Sequence, residues 1–134
     1  MEYNLFALPS FDDKNSSLVV LESLKNIPFE IKRIFYIFDV PANQSRGEHA
    51  NLKSKFFFIA LRGVCKIEID KKEIIVLDKP NEGLFLDSML WKKMYDFSQD
   101  CILLVLSDSF YNKDEYIYEY ENYVAMKRGE GGGG

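Results

Sequence analysis

The chain reads as an all-β protein, an antiparallel sandwich or barrel, and three observations carry that reading. Short apolar runs rich in Val, Ile, Phe and Tyr recur along it, turn residues separate them at regular intervals, and little of the chain has room for a long helix. With 134 residues, of which 47% are hydrophobic and 15% aromatic, one domain can remove about two-thirds of its unfolded surface from water. That is enough for a core with a pocket and no staple.

Leu18-Val19-Val20-Leu21 is the first strand candidate. Arg33 to Val40 is β-branched and aromatic on both of its faces, so both should be covered, and Pro41 to Gly47 follows as a loop. Phe56 to Leu61 repeats the doubly apolar pattern and stops at Arg62-Gly63. Val64-Cys65-Lys66-Ile67-Glu68-Ile69 alternates strictly, the signature of a half-buried strand, and Asp70-Lys71-Lys72 turns it into Glu73 to Leu77. Gly83 to Leu86, the stretch Leu90 to Phe97 and Cys101 to Ser107 complete the set. A helix or irregular tail fits only between Lys113 and Met126. Residues 1–126 are therefore expected to form one domain, and 127–134, ending in Gly131 to Gly134, to be a flexible linker or unstructured end.

Composition excludes several functions. A formal charge of −4 argues against nucleic-acid binding, which needs a surplus of Lys and Arg on one face. No run approaches the ~20 apolar residues of a membrane span, and Met1 to Pro9 has no basic leader, so a cytoplasmic protein is expected. Cys65 and Cys101 lie in apolar β-type runs and suit a reducing compartment as small core residues. With His49 the sole histidine, a multi-histidine metal centre is impossible within one chain, and no metal is expected.

Arg46-Gly47-Glu48-His49-Ala50-Asn51-Leu52-Lys53 concentrates ionisable groups between two apolar strands. If this segment is extended, His49, Asn51 and Lys53 project to one face, presenting an imidazole, an amide and an ammonium to any enclosed cavity. Arg46 could grip an anion such as a phosphate in bidentate fashion. The bland alternative is a surface loop with a hydrogen-bonded His and solvated cations. The segment also falls where a cupin barrel keeps its first motif, with Gly47, His49 and Gly63 in place, but Asn51 stands for the second His and Lys55 for the Glu. Chemistry here must then be acid–base chemistry or simple binding.

Read together, Ile27 to Phe38, Arg46-Gly47-Glu48-His49-Ala50, Gly83-Leu84-Phe85, Trp91 to Ser98, Asp100 to Leu106, Tyr111 to Ile117 and Tyr120-Glu121-Asn122-Tyr123 resemble, in order, the dTDP-sugar 3,4-ketoisomerases. This is the WxcM-like, FdtA-type group of the RmlC-like cupins, and the resemblance runs from about Asp12 to Val124. It implies a jelly-roll β-barrel, usually a homodimer, that acts on dTDP-4-keto-6-deoxyglucose without metal or organic cofactor. Such enzymes move the carbonyl from C4 to C3, making precursors of 3-amino sugars for surface polysaccharide. Carried onto this chain, His49 would be the proton carrier. Tyr36 would contact the sugar or donate a proton, or belong to the barrel core if Ile34 and Phe38 share its face and that face is dry. Arg46 and Lys53 would meet the diphosphate, Asn51 would hydrogen-bond the sugar, and Trp91 would wall the pocket or simply fill the core.

The departures from the family pattern fall at the chemistry. Asp13-Lys14-Asn15-Ser16 stands for Asp-x-Arg-Gly, Asn51 for a His, Lys92-Lys93 for His-Glu, and Phe56 for a Gln. An amide cannot exchange a proton near neutral pH. The alternative to an isomerase is thus a catalytically altered or inactive cupin that binds a dTDP-sugar or serves as an interaction partner.

Overall fold

The computed structural model describes residues 2–132. Its twelve strands are β1 (Tyr3–Ala7), β2 (Ser10–Asp13), β3 (Ser16–Val19), β4 (Arg33–Phe38), β5 (Arg46–Asn51), β6 (Phe56–Arg62), β7 (Cys65–Ile69), β8 (Glu73–Leu77), β9 (Glu82–Leu86), β10 (Lys92–Tyr95), β11 (Ile102–Ser107) and β12 (Tyr116–Ile117). A 3-10 turn at Lys113–Glu115 precedes β12, and helix α1 (Tyr120–Gly132) ends the described chain. Two five-stranded sheets, ordered β1-β9-β6-β11-β4 and β12-β5-β10-β7-β8, build an antiparallel jelly roll. A small hairpin, β2-β3, stands apart.

The interior between the sheets is made by the alternation that strands impose. Phe56, Phe58 and Ala60 of β6, Leu84 and Leu86 of β9, and Leu103 and Val105 of β11 meet Cys65, Ile67 and Ile69 of β7, Leu77 of β8 and Met94 of β10. Both cysteines are free and buried there, as small core residues. A second apolar layer covers the outer face of the first sheet, where Leu8, Ile27 and Phe29 lie on Phe57, Ile59 and Leu106. This layer explains why β6 is apolar on both faces. It stops short of β4, whose outer residues Ile34, Tyr36 and Phe38 remain 61%, 62% and 56% exposed, against the expectation that both faces are covered.

Residues 127–132 were expected to be unstructured, yet α1 continues through them, and Lys127 Nζ donates to Met89 O at 2.7 Å and pairs with Glu2 at 3.0 Å. The expectation for residues 133–134 lies outside the described chain. No helix among the described residues is long and apolar enough to cross a membrane.

Two turns set the sheet registers. Asp70 and Lys71 both sit at φ 55°, closing the polar hairpin from β7 to β8. Gly63, at φ 71°, turns β6 into β7 beneath Ser98, and a Cβ there would run into the Ser98 hydroxyl and come within 2.8 Å of the Cys101 backbone. Gly63→Ala should therefore lower stability by about 2–4 kcal/mol, combining a positive-φ penalty with a backbone clash. Thermal unfolding by circular dichroism checks this, and an unchanged midpoint would refute it.

Candidate functional site

β5 is polar in sequence and forms a strand because β10 and β12 pair with it from either side. Its register against β10 shifts by one residue: Arg46 pairs with Met94, Gly47 with Lys93 and His49 with Lys92. Glu48, at φ 50°, is the extra residue of this bulge. A bulge moves the residues after it to the opposite face. Arg46 and His49, which would diverge on a regular strand, thus line one cleft.

The cleft, about 200 Å³, is walled by Phe35, Ile37, Phe56, Phe58 and Met94, with Arg46, His49, Lys92 and Tyr116 as its polar groups. A roomier surface depression of about 450 Å³ beside Asp39, Pro41 and Gln99 is lined by a lone carboxylate and by no His, Lys, Arg or Tyr. Only the first couples an enclosed apolar wall to proton-carrying side chains.

His49 Nδ1 lies 2.8 Å from Gly47 O and can only donate to it, so the lone pair is on Nε2, which has no hydrogen-bond partner within normal geometry among the described residues. The ring is flanked by Tyr116 and Tyr118, with centroids at 4.8 and 5.9 Å. Burial, and then the positive charge of Lys92, lower its pKa to about 4. The imidazole is therefore neutral at physiological pH.

Lys92 reaches in from β10 and is only 2% exposed. Its Nζ donates to Asn51 Oδ1 at 2.9 Å and stands 4.5 Å from the centre of the Phe56 ring. Asn51, 1% exposed, has no partner for its Nδ2 among the described residues. Burial lowers the Lys92 pKa to about 7, with the Glu115 carboxylate opposing that drop and Arg33 adding to it.

Glu115 holds this arrangement in place. Its Oε1 accepts from the backbone N–H of Lys53 at 2.9 Å and of Ser54 at 2.8 Å, and its Oε2 accepts from the Ser54 hydroxyl. Burial pushes the Glu115 carboxyl up, but the Ser54 hydroxyl and these two amides outweigh it, so its pKa lies below the ordinary carboxylate value. The clasp ends β5 at Asn51 and bends the chain at Leu52 and Lys53.

The structure thus brings together His49, Arg46 and, behind Lys92, Asn51. Three expected site residues lie elsewhere. Lys53 is exposed on the bend, because the strand stops before it. Tyr36 points away from the cleft, stacked on Phe38 at 6.0 Å, since Phe35 and Ile37 are the residues of β4 that face inward. Trp91 packs on Tyr120 and Tyr123 of α1, on the far side from the cleft. Sequence reasoning missed Glu115 and Lys92 as site residues. Of the adjacent carboxylates Asp114 and Glu115, the first is exposed and the second buried.

Comparison with known proteins gives one answer. The family model described as FdtA, WxcM-like, C-terminal matches residues 1–128. The chain is 39% identical over 126 residues to a TDP-4-oxo-6-deoxy-alpha-D-glucose-3,4-oxoisomerase of Aneurinibacillus thermoaerophilus, covering 92% of this chain and 91% of that one. The structure of WlaRA, a TDP-fucose-3,4-ketoisomerase of Campylobacter jejuni, superposes with a TM-score of 0.89 at 48% identity, covering 95% and 96%. A His-to-Asn variant of the 3,4-ketoisomerase QdtA of Thermoanaerobacterium thermosaccharolyticum, in complex with TDP-4-keto-6-deoxyglucose, gives 0.91 at 33%, covering 95% and 94%. With a family model spanning nearly every residue and a jelly roll shared with these structures, the chain belongs to the FdtA family of WxcM-like cupins.

Proposed function

We propose that this protein is a sugar-nucleotide 3,4-ketoisomerase acting on dTDP-4-keto-6-deoxyglucose. The observation that carries the reading is His49, a neutral imidazole that carries its lone pair on Nε2 in a cleft walled by aromatic and aliphatic side chains. The likeness to a TDP-4-oxo-6-deoxyglucose 3,4-oxoisomerase across nearly the whole chain supports the substrate. The proton on C3 is acidified by the neighbouring C4 ketone, and a base in the cleft can remove it. Reprotonation at C4, which adjoins C3, then lets one base serve both carbons.

In this reading His49 Nε2 takes the C3 proton and returns it at C4. The apolar wall of Phe35, Ile37, Phe56 and Phe58 strengthens every polar contact to the enediolate by excluding water. Asn51 Nδ2, which has no hydrogen-bond partner within normal geometry among the described residues, is a donor for an enediolate oxygen that reaches behind Lys92. Arg46, exposed at the rim, meets the diphosphate. The cleft volume lies below the ~300 Å³ at which drug-sized pockets begin, so the sugar ring enters and the nucleotide stays at the mouth. The product would feed 3-amino sugars of surface polysaccharide in the cytoplasm.

The same reading includes a homodimer. The bare stripe of Ile34, Tyr36 and Phe38 is the apolar surface that a second copy would cover.

Three outcomes test these statements. In deuterated buffer the wild-type protein should incorporate label from solvent into dTDP-4-keto-6-deoxyglucose, and His49→Asn should lose roughly 10³-fold in rate, within the span of general acid–base catalysis. Binding without exchange would instead establish the non-catalytic sugar binder. Because His49 works unprotonated and its pKa is lowered to about 4, kcat/KM should hold down to mildly acidic pH and fall only as pH drops through that value. An acid limb at the ordinary imidazole pKa of about 6.5 would contradict this environment. In sedimentation, the wild type should run as a dimer and Tyr36→Glu as a monomer. A monomeric wild type would remove the dimer.

A further inference from the structure

We propose that Lys92 is the second proton-transfer group of the cleft, carrying a proton between the C3 and C4 oxygens of the sugar while His49 carries one between the carbons. This rests on the ketoisomerase reading and deepens it. Isomerisation moves two protons, one from C3 to C4 and one from the C3 hydroxyl to the C4 oxygen. His49 offers one free nitrogen and can attend to only one of these paths at a time.

Lys92 is placed for the other. It pairs across the strands with His49, so both side chains enter the cleft from the same level of the sheet. Its ammonium is held by Asn51 Oδ1 at 2.9 Å, and Asn51 itself follows His49 by two positions on β5. An amide that accepts from Nζ cannot take its proton, which leaves the transferable protons of Nζ to a ligand.

The accounting closes without any co-reactant. As His49 Nε2 takes the proton from C3, the C3–H electron pair becomes the C3=C4 double bond, the C4 carbonyl π pair moves onto its oxygen, and the Lys92 ammonium protonates that oxygen. The enediol now faces an imidazolium and a neutral amine. In the second half the amine takes the C3 hydroxyl proton, the C3–O double bond forms, and the enediol pair captures the imidazolium proton at C4. Both residues end as they began.

The charge arrangement favours this exchange. The Lys92 cation is what opposes protonation of His49 after burial itself, so its loss on proton donation removes that opposition as the imidazolium forms. With a pKa near 7, Lys92 can both give and take a proton close to neutrality. The charged and titratable groups around it are His49 and Arg46 from β5, Glu115 from the turn before β12, Tyr116 from β12 and Arg33 from β4.

The test compares wild type, Lys92→Arg and Lys92→Met with dTDP-4-keto-6-deoxyglucose in deuterated buffer, following label at C3, net isomerisation and kcat against pH. Arginine keeps the charge but cannot release a proton. Lys92→Arg should keep KM within about threefold and exchange at C3, yet lose roughly 100-fold or more in net isomerisation together with the bend in kcat near pH 7. An Arg variant with kcat within threefold of wild type, or one losing exchange and isomerisation in equal measure, overturns the proposal. Should the Arg side chain prevent folding, Lys92→Met decides: a loss of roughly 100-fold or more supports the role, and turnover within threefold of wild type overturns it. An inactive wild type removes the ketoisomerase reading and this role together, whereas an active wild type with an unaffected Lys92→Arg removes this role alone.

Discussion

The carboxylate of Glu115 is the contact on which the rest of the site depends. A buried carboxylate is stable only when its oxygens are satisfied, and this one is satisfied by the chain itself, through the amides of Lys53 and Ser54 and the Ser54 hydroxyl. Those bonds decide where β5 stops. Because β5 stops at Asn51, the amide of Asn51 faces Lys92, and the backbone of Asn51 and Leu52 can bond Met89 and Glu115. The same negative charge opposes the desolvation of Lys92, which would otherwise drive its pKa lower still. One side chain thus fixes a strand end, a bend and the charge of a buried lysine.

The central strands were legible because their alternation is local. Val64 to Ile69 places Cys65, Ile67 and Ile69 inward, as β7 does in the structure. β6 was legible for a different reason: its continuous apolar run needs cover on both faces, and the N-terminal segment around Ile27 and Phe29 supplies the second cover. β1 and β5 were not read as strands. β5 is almost wholly polar, and its conformation comes from neighbours distant in sequence, which no window along the chain contains.

The site was legible in its centre and misread at its edges. His49 stood out as the only imidazole in the chain, and Arg46 as a cation next to it. Placing Lys53 with them assumed a strand that continues through it, whereas β5 stops at Asn51 and the chain bends at Leu52. Trp91 and Lys92 are adjacent and point to opposite faces, so a reading that chose the aromatic missed the lysine. Burial of a Lys or Glu is improbable from sequence alone, since each is buried only where partners exist. Here the partners lie on other strands.

β4 has one more property besides its apolar stripe: it is the last strand of its sheet. Among the described residues the N–H and C=O groups along its outer side have no ladder to join, and the exposed side chains of the strand are Ile34, Tyr36 and Phe38. A bare edge of this kind is a template for indiscriminate strand addition. The second copy proposed to cover it would also protect the chain from aggregation, and would make the amount of folded protein a function of its own concentration. Substitutions along that edge can then deplete the protein in a cell without touching a single residue of the cleft.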